Sequence, residues 1–130
     1  MSSIFSKIVS GEIPSYKIAE DENHLAFLDI SPLVKGHVLV IPKKENDYLF
    51  DLSIEEYLAL WKFAQKVAKA MDNVITCERI GVSVIGLEVP HTHIHLVPIN
   101  NISDINFAAP RMTITKEEMQ SVKDLIKSAI

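Results

Sequence analysis

At 130 residues, with 48% hydrophobic and 23% charged side chains, the chain is long enough for one domain with an apolar core and too apolar for a disordered segment. Thirteen Lys and Arg against seventeen Asp and Glu leave a formal net charge of −4, so no broad positive field is available for a nucleic-acid polymer. A small phosphate ligand is still compatible with that charge, because backbone N–H groups and a few placed side chains suffice for it. Cys77 is the only cysteine, which excludes an intrachain disulfide and a multi-cysteine zinc site and suits a half-buried structural thiol. Met1 to Lys7 shows no basic stretch followed by a long apolar run, and no segment approaches membrane-spanning length, so no membrane partner is expected and the expected location is the cytoplasm.

No repeat or linker interrupts the chain, and a single domain over residues 1–130 is expected. Ile4 to Ser10 reads as a short amphipathic helix ended by Gly11, with Ile4, Phe5 and Ile8 inward. Two strands follow at Tyr16 to Glu20 and His24 to Asp29, joined by the polar turn Asp21-Glu22-Asn23. Pro32 and Gly36 punctuate a loop, after which His37 to Pro42 alternates His37, Leu39 and Ile41 on one face with Val38 and Val40 on the other.

Ser53 and Glu56 form a capping box that opens the clearest helix. Its expected core face is Ile54, Tyr57, Leu58, Trp61, Ala64, Val67, Ala68 and Met71. Strands at about Arg79 to Ile85 and Val89 to Val97 come next, and Thr115 with Glu118 opens a last helix striped by Met119, Val122, Leu125, Ile126 and Ala129. Consecutive strands with no helix between each pair predict an α+β class: about five antiparallel strands with two main helices.

The informative segment is His91-Thr92-His93-Ile94-His95-Leu96-Val97-Pro98. On a strand its three imidazoles would share one face, about 7 Å apart at roughly 3.3 Å per residue. Imidazole titrates near neutrality, so one ring can be neutral and attack phosphorus while donors beside it offset charge on the nonbridging oxygens. Three histidines with six ring nitrogens would crowd a purely structural core. A lone histidine such as His24 is by contrast an ordinary core residue. His-x-His can also place two nitrogens on one zinc ion, with His37, Asp29 or Glu88 as a further ligand. Metal-dependent hydrolysis is thus a second reading.

The run His91 to Val97 matches His-x-His-x-His followed by two apolar residues, and the chain resembles the histidine-triad (HIT) family on that ground. The likeness extends through Ile4-Phe5-x-Lys7-Ile8, Gly11-Glu12-Ile13-Pro14, Ala26-Phe27-Leu28-Asp29-Ile30-Ser31-Pro32 and Gly36-His37-Val38-Leu39-Val40-Ile41-Pro42-Lys43-Lys44. It implies a HIT-like fold whose sheet joins that of a second copy into about ten strands in a homodimer. It implies His93 as nucleophile, His91 and His95 flanking it, and His37 joining from the neighbouring strand. Asp29 would take the ribose hydroxyls, with Phe5, Ile8, Phe27, Leu28 and Ile30 about the base. The implied ligand is a purine nucleotide or its conjugate, attacked at the α-phosphate to cleave P–N or P–O–P bonds without a metal or other cofactor.

Three departures from the family pattern bear on substrate choice. Gly86-Leu87-Glu88-Val89-Pro90 stands where the family carries Gly-Gln-Ser or Gly-Gln-Thr, so Glu88 replaces a hydroxyl near the scissile phosphate. A carboxylate there repels phosphate, or acts as general acid toward an amine if its pKa is raised. Ser83 stands in for an asparagine in a shortened loop. Ser3 and Ser6 occupy the places of cysteines that bind structural zinc in some bacterial members, which predicts that this zinc site is absent. Leu87 and Glu88 also favour a third reading, a nucleotide sensor with little turnover.

Overall fold

The computed structural model describes residues 2–130; Met1, the first residue of the amino-terminal stretch and of the single domain read above, lies outside them. The elements run α1 (Ile4–Ser10), β1 (Lys17–Glu20), β2 (His24–Leu28), β3 (Val38–Pro42), α2 (Ile54–Val74), β4 (Arg79–Ser83), β5 (Ile94–Ile99) and α3 (Lys116–Lys127), with 3-10 turns at Leu49–Asp51 and Ile102–Ile105. The five strands form one antiparallel sheet in the order β1-β2-β3-β5-β4. The α+β class and the five-stranded antiparallel sheet are therefore as the sequence indicates.

Alternation along the central strands divides the interior in two. Ala26, Leu28, Val38, Val40, Ile94 and Leu96 face α2 and α3, where they meet Leu60, Phe63, Val67, Met71, Met119 and Ile126. Leu25, Phe27, Leu39 and Ile41 face the other way and are covered by Phe5 and Ile8 of α1. β2 and β3 are buried on both faces, which explains their nearly unbroken apolar runs. Each fully buried Leu, Val or Met contributes roughly 1.5–3 kcal/mol.

The local signals at the helix ends hold. Gly11 takes φ 87° and its N–H bonds to the Ile8 carbonyl, closing α1. Ser53 and Glu56 exchange both bonds of the capping box at 3.1 Å each. Gly36 has φ 94°, and a Cβ there would lie 3.0 Å from Ile75 Cδ1, so the turn into β3 requires glycine for space as well as conformation. His24 stacks on Phe63 and bonds Asp21 on the α2 side of the sheet, an ordinary structural place. Cys77 is half-buried, and burial pushes its thiol pKa up.

Several details differ from the periodicity. Ile4 is 49% exposed, because two residues of α1, Phe5 and Ile8, suffice to cover the sheet. Burial on α2 begins only at Leu60, so Ile54 and Leu58 stand in solvent while Phe63 and Ala70 join the core. Leu125 of α3 is likewise exposed. β1 starts at Lys17, β2 stops at Leu28 and β3 starts at Val38, each one residue short.

The larger correction concerns the histidine segment. β4 ends at Ser83 and β5 begins at Ile94, so His91 and His93 lie before the strand and only His95 is on it. The backbone there bonds elsewhere: the His91 N–H goes to the Val89 carbonyl and the Thr92 N–H to Asn46. Pro90 has no N–H to give a ladder. The rings are consequently closer than an extended strand would set them, with the His93 and His95 centroids 4.9 Å apart.

Candidate active site

Four of the five histidines gather on the α1 side of the sheet. His95 alternates with Ile94 and Leu96 of the α2 core and so points to the opposite face, with Leu39 and Ser83 as its cross-strand neighbours. His37 immediately precedes β3, and its backbone carbonyl accepts the Asp29 N–H.

The hydrogen bonds fix which nitrogen of each ring carries the proton. A carbonyl only accepts, so His93 donates through Nδ1 to the His91 carbonyl at 2.7 Å, and in the neutral ring the lone pair is then on Nε2. An amide N–H only donates, so His37 Nδ1 accepts from Leu33 at 3.0 Å and Nε2 bears its proton. That proton goes to His95 Nδ1 at 2.9 Å, which leaves His95 with an N–H at Nε2. Among the described residues no hydrogen bond engages Nε2 of His93 or of His95. The pair thus presents one lone pair and one donor side by side. Burial pushes the pKa of His37 and of His95 down to about 3, so both rings stay neutral at working pH.

Aromatic edges brace these rings. Phe5 meets His93 at 5.0 Å and His91 at 5.9 Å, while Phe107 meets His95 at 4.6 Å. Between the braces opens a cavity of about 610 Å³ walled by Phe5, Asp29, Ile30, Glu88, His93, His95, Phe107 and Arg111. This is ample for a small ligand. A second hollow of about 490 Å³ reaches His93 from the side of Tyr48, Phe50, Trp61 and Leu87.

Asp29, just beyond β2, accepts the Ser31 N–H at 2.9 Å and lies 3.5 Å from the Arg111 guanidinium. Burial raises its carboxyl pKa against the opposing pull of Ser31 and Arg111. Arg111 is held by the Ser31 carbonyl at 2.9 Å and over the Phe107 ring.

Of the residues singled out in the sequence, Phe5, Asp29, Ile30, Glu88, His93 and His95 share the cavity wall. His37 and His91 are fully buried behind His95 and His93 and do not line the cavity. Ile8 and Phe27 lie in the apolar layer under α1. Leu28 points into the α2 core on the opposite face of the sheet, away from the cavity. Ser83 is beside His95 in register, off the wall of either cavity. Sequence reasoning missed Phe107, because it comes from an aperiodic segment that returns to the site through bonds such as Met112 N–H to the Pro32 carbonyl, and the same segment brings Arg111 to the cavity wall.

Residues 10–102 match the family model of the HIT domain. The chain belongs to the HIT family. An adenosine 5′-monophosphoramidase of Schizosaccharomyces pombe is 38% identical over 133 residues, covering 100% of this chain and 99% of that one. A HIT-like protein involved in cell-cycle regulation from Bartonella henselae superposes with a TM-score of 0.87 at 32% identity, covering 99% of this chain and 96% of that one. A zinc-bound histidine triad protein from Mycobacterium smegmatis superposes at 0.83 with 31% identity, covering 99% and 93%.

The donor sets of this HIT protein fit a metal poorly. Ser3 and Ser6 offer hydroxyls in place of thiolates, and both are already bonded to Glu45 and His91. Asp29, His37 and His95 bring ligand atoms within 4.8 Å of one another. His37, however, turns its protonated nitrogen toward that point, and the His95 lone pair is spent on that proton. A cation there would have to break the Leu33 bond or the bond between the two rings.

Proposed function

We propose that this chain is a nucleotide hydrolase or transferase that acts at the α-phosphate of nucleoside phosphoramidates or dinucleoside polyphosphates. The observation that carries the reading is the Nε2 lone pair of His93, unbonded at the cavity wall beside the His95 N–H. The name of the fission-yeast relative supports the phosphoramidate arm and a purine nucleotide.

In the first step His93 Nε2 bonds to phosphorus and the P–N or P–O bond to the leaving group breaks, a departing nitrogen taking up a proton from solvent and a departing phosphate leaving as its anion. The His91 carbonyl, held by Nδ1–H, offsets the positive charge the ring acquires, and His95 Nε2–H donates to a nonbridging oxygen. In the second step water attacks phosphorus and releases a proton to solvent, the bond to His93 breaks so that Nε2 recovers its lone pair, and a nucleoside monophosphate leaves. Glu88, on the same wall, faces the leaving group and suits an amine better than a second phosphate.

Asp29 is assigned to the two ribose hydroxyls. Asp29→Ala is expected to raise KM about tenfold with little change in kcat, and a 2′,3′-dideoxy substrate should be insensitive to the substitution. Steady-state kinetics on both substrates checks this.

A cytoplasmic location and a homodimer belong to the same proposal. Strand β4 is an outer strand of the sheet and carries Val82, 49% exposed, which suits pairing with a second copy. Sedimentation velocity should find a dimer for the wild type and a monomer for Val82→Lys.

The test of the activity is release of AMP from adenosine 5′-phosphoramidate by chelator-treated protein, followed by phosphorus NMR. Turnover that persists without metal supports the reading. Activity that appears only with added zinc or manganese overturns it in favour of a metal-dependent hydrolase, and tight AMP binding without turnover in favour of a sensor.

A further inference from the structure

Behind the nucleophile lies a second polar cluster, contributed by the start of α1, the loop after β3 and the histidine segment. The Ser3 hydroxyl lies 2.8 Å from His91 Nδ1, and His91 Nε2 lies 2.7 Å from the Pro42 carbonyl. The carbonyl only accepts, so Nε2 carries the His91 proton and Nδ1 accepts from Ser3. Ser3 Oγ in turn accepts the Ser6 N–H at 3.0 Å. One oxygen of Glu45 receives the Ser3 N–H at 2.6 Å and the Ser6 hydroxyl at 2.7 Å. Ser3 is 7% exposed and His91 fully buried, so water offers no ready replacement for these partners.

The cluster joins the chemistry through one atom, because the His91 carbonyl accepts the Nδ1–H of His93. We propose that Ser3 and Glu45 are positioning residues for the nucleophile: Glu45 fastens the start of α1, Ser3 holds His91 in its Nε2–H tautomer, and His91 thereby fixes the carbonyl that orients His93. Loss of the Ser3 hydroxyl leaves Nδ1 of a buried ring with only the Ser6 hydroxyl, 3.5 Å away and already donating to Glu45. His91 then regains stability by shifting its proton to Nδ1 or turning its ring, and either movement gives up the Pro42 bond. The His91 carbonyl moves with it, and His93 loses the acceptor that keeps its lone pair on Nε2. Ser3 is also the N-cap of α1, so an ordinary loss of helix stability must be told apart from this effect.

The kinetic arm rests on His93 being the nucleophile, whereas the spectroscopic arm does not. Nitrogen-15 histidine spectra of the full-length wild type should show His93 protonated at Nδ1 and His91 at Nε2. In Ser3→Ala the His93 Nδ1–H resonance should broaden or shift into tautomer exchange, and kcat on adenosine 5′-phosphoramidate should fall about tenfold with KM within about twofold. Ser3→Thr, which keeps the hydroxyl and the cap, should restore both. Glu45→Ala alters an exposed side chain and carries the test if Ser3→Ala does not fold; the same direction with a smaller kcat loss is expected. A wild-type His93 spectrum in Ser3→Ala or, failing that variant, in Glu45→Ala overturns the proposal. So does a folded Ser3→Ala variant with wild-type kcat. If the wild type turns over no nucleotide, the proposed function fails, and the spectra alone decide this inference.

Discussion

His93→Ala is expected to lower hydrolysis of adenosine 5′-phosphoramidate by on the order of 10³-fold or more, with affinity for AMP within a few-fold of wild type. The asymmetry follows from the geometry. His93 is one wall residue among several, and Phe5, Asp29, Ile30 and Arg111 remain to hold the nucleotide. The unbonded Nε2 lone pair at that wall has no substitute, because His95 offers a donor there and His37 and His91 are buried with both ring nitrogens engaged. His93→Gly should be as inactive as the alanine variant but recover part of its rate with added imidazole, which can enter the vacated space. Single-turnover kinetics with and without imidazole checks both statements. A variant that keeps most of its rate would remove His93 from the chemistry.

Acid should destabilise the fold well before the carboxylates are neutralised. Burial holds His37 and His95 neutral down to about pH 3, whereas in the unfolded chain their pKa is near 6.5. Between those values the unfolded state binds more protons, so stability is complete above about pH 6.5 and falls as the pH drops toward 3. For His37 alone the loss at pH 4 is roughly 3 kcal/mol, and His95 and the buried His91 act in the same direction. Asp29 opposes this, since burial raises its carboxyl pKa and favours its protonated form in the fold. Urea unfolding midpoints at pH 7 and pH 4 should therefore diverge for the wild type, and His37→Asn should narrow the gap. Equal midpoints at the two pH values would contradict the buried, neutral pair.

Much of this arrangement is legible in the residues. The alternation Val38-Leu39-Val40-Ile41 separates the two faces of the sheet correctly, and the Ser53 and Gly11 signals mark helix ends, because caps and pleats are local geometry. The His-x-His-x-His run marks the proposed site, but strand periodicity assigns the rings the wrong relation. It places three imidazoles in a row, whereas the chain folds two in front, His93 and His95, with His91 and His37 behind them supplying the orientation. That division depends on where β5 stops pairing, and the bonds of residues 89–93 to the loop after β3 are not encoded in any local pattern. The same holds for Leu28, whose face is set by the register with Val38, and for Phe107 and Arg111, which reach the site through an irregular return. The Ser3 and Glu45 cluster joins segments some forty residues apart and is visible only in the fold.

The most direct test of the account is intact-mass analysis of chelator-treated protein mixed briefly with adenosine 5′-phosphoramidate and quenched in base, where a bond between phosphorus and imidazole nitrogen survives. A gain of one adenylyl group that peptide mapping places on His93 is expected, with no such gain in His93→Ala. Rapid turnover with no adduct in the wild type, or an adduct on another residue, would contradict it.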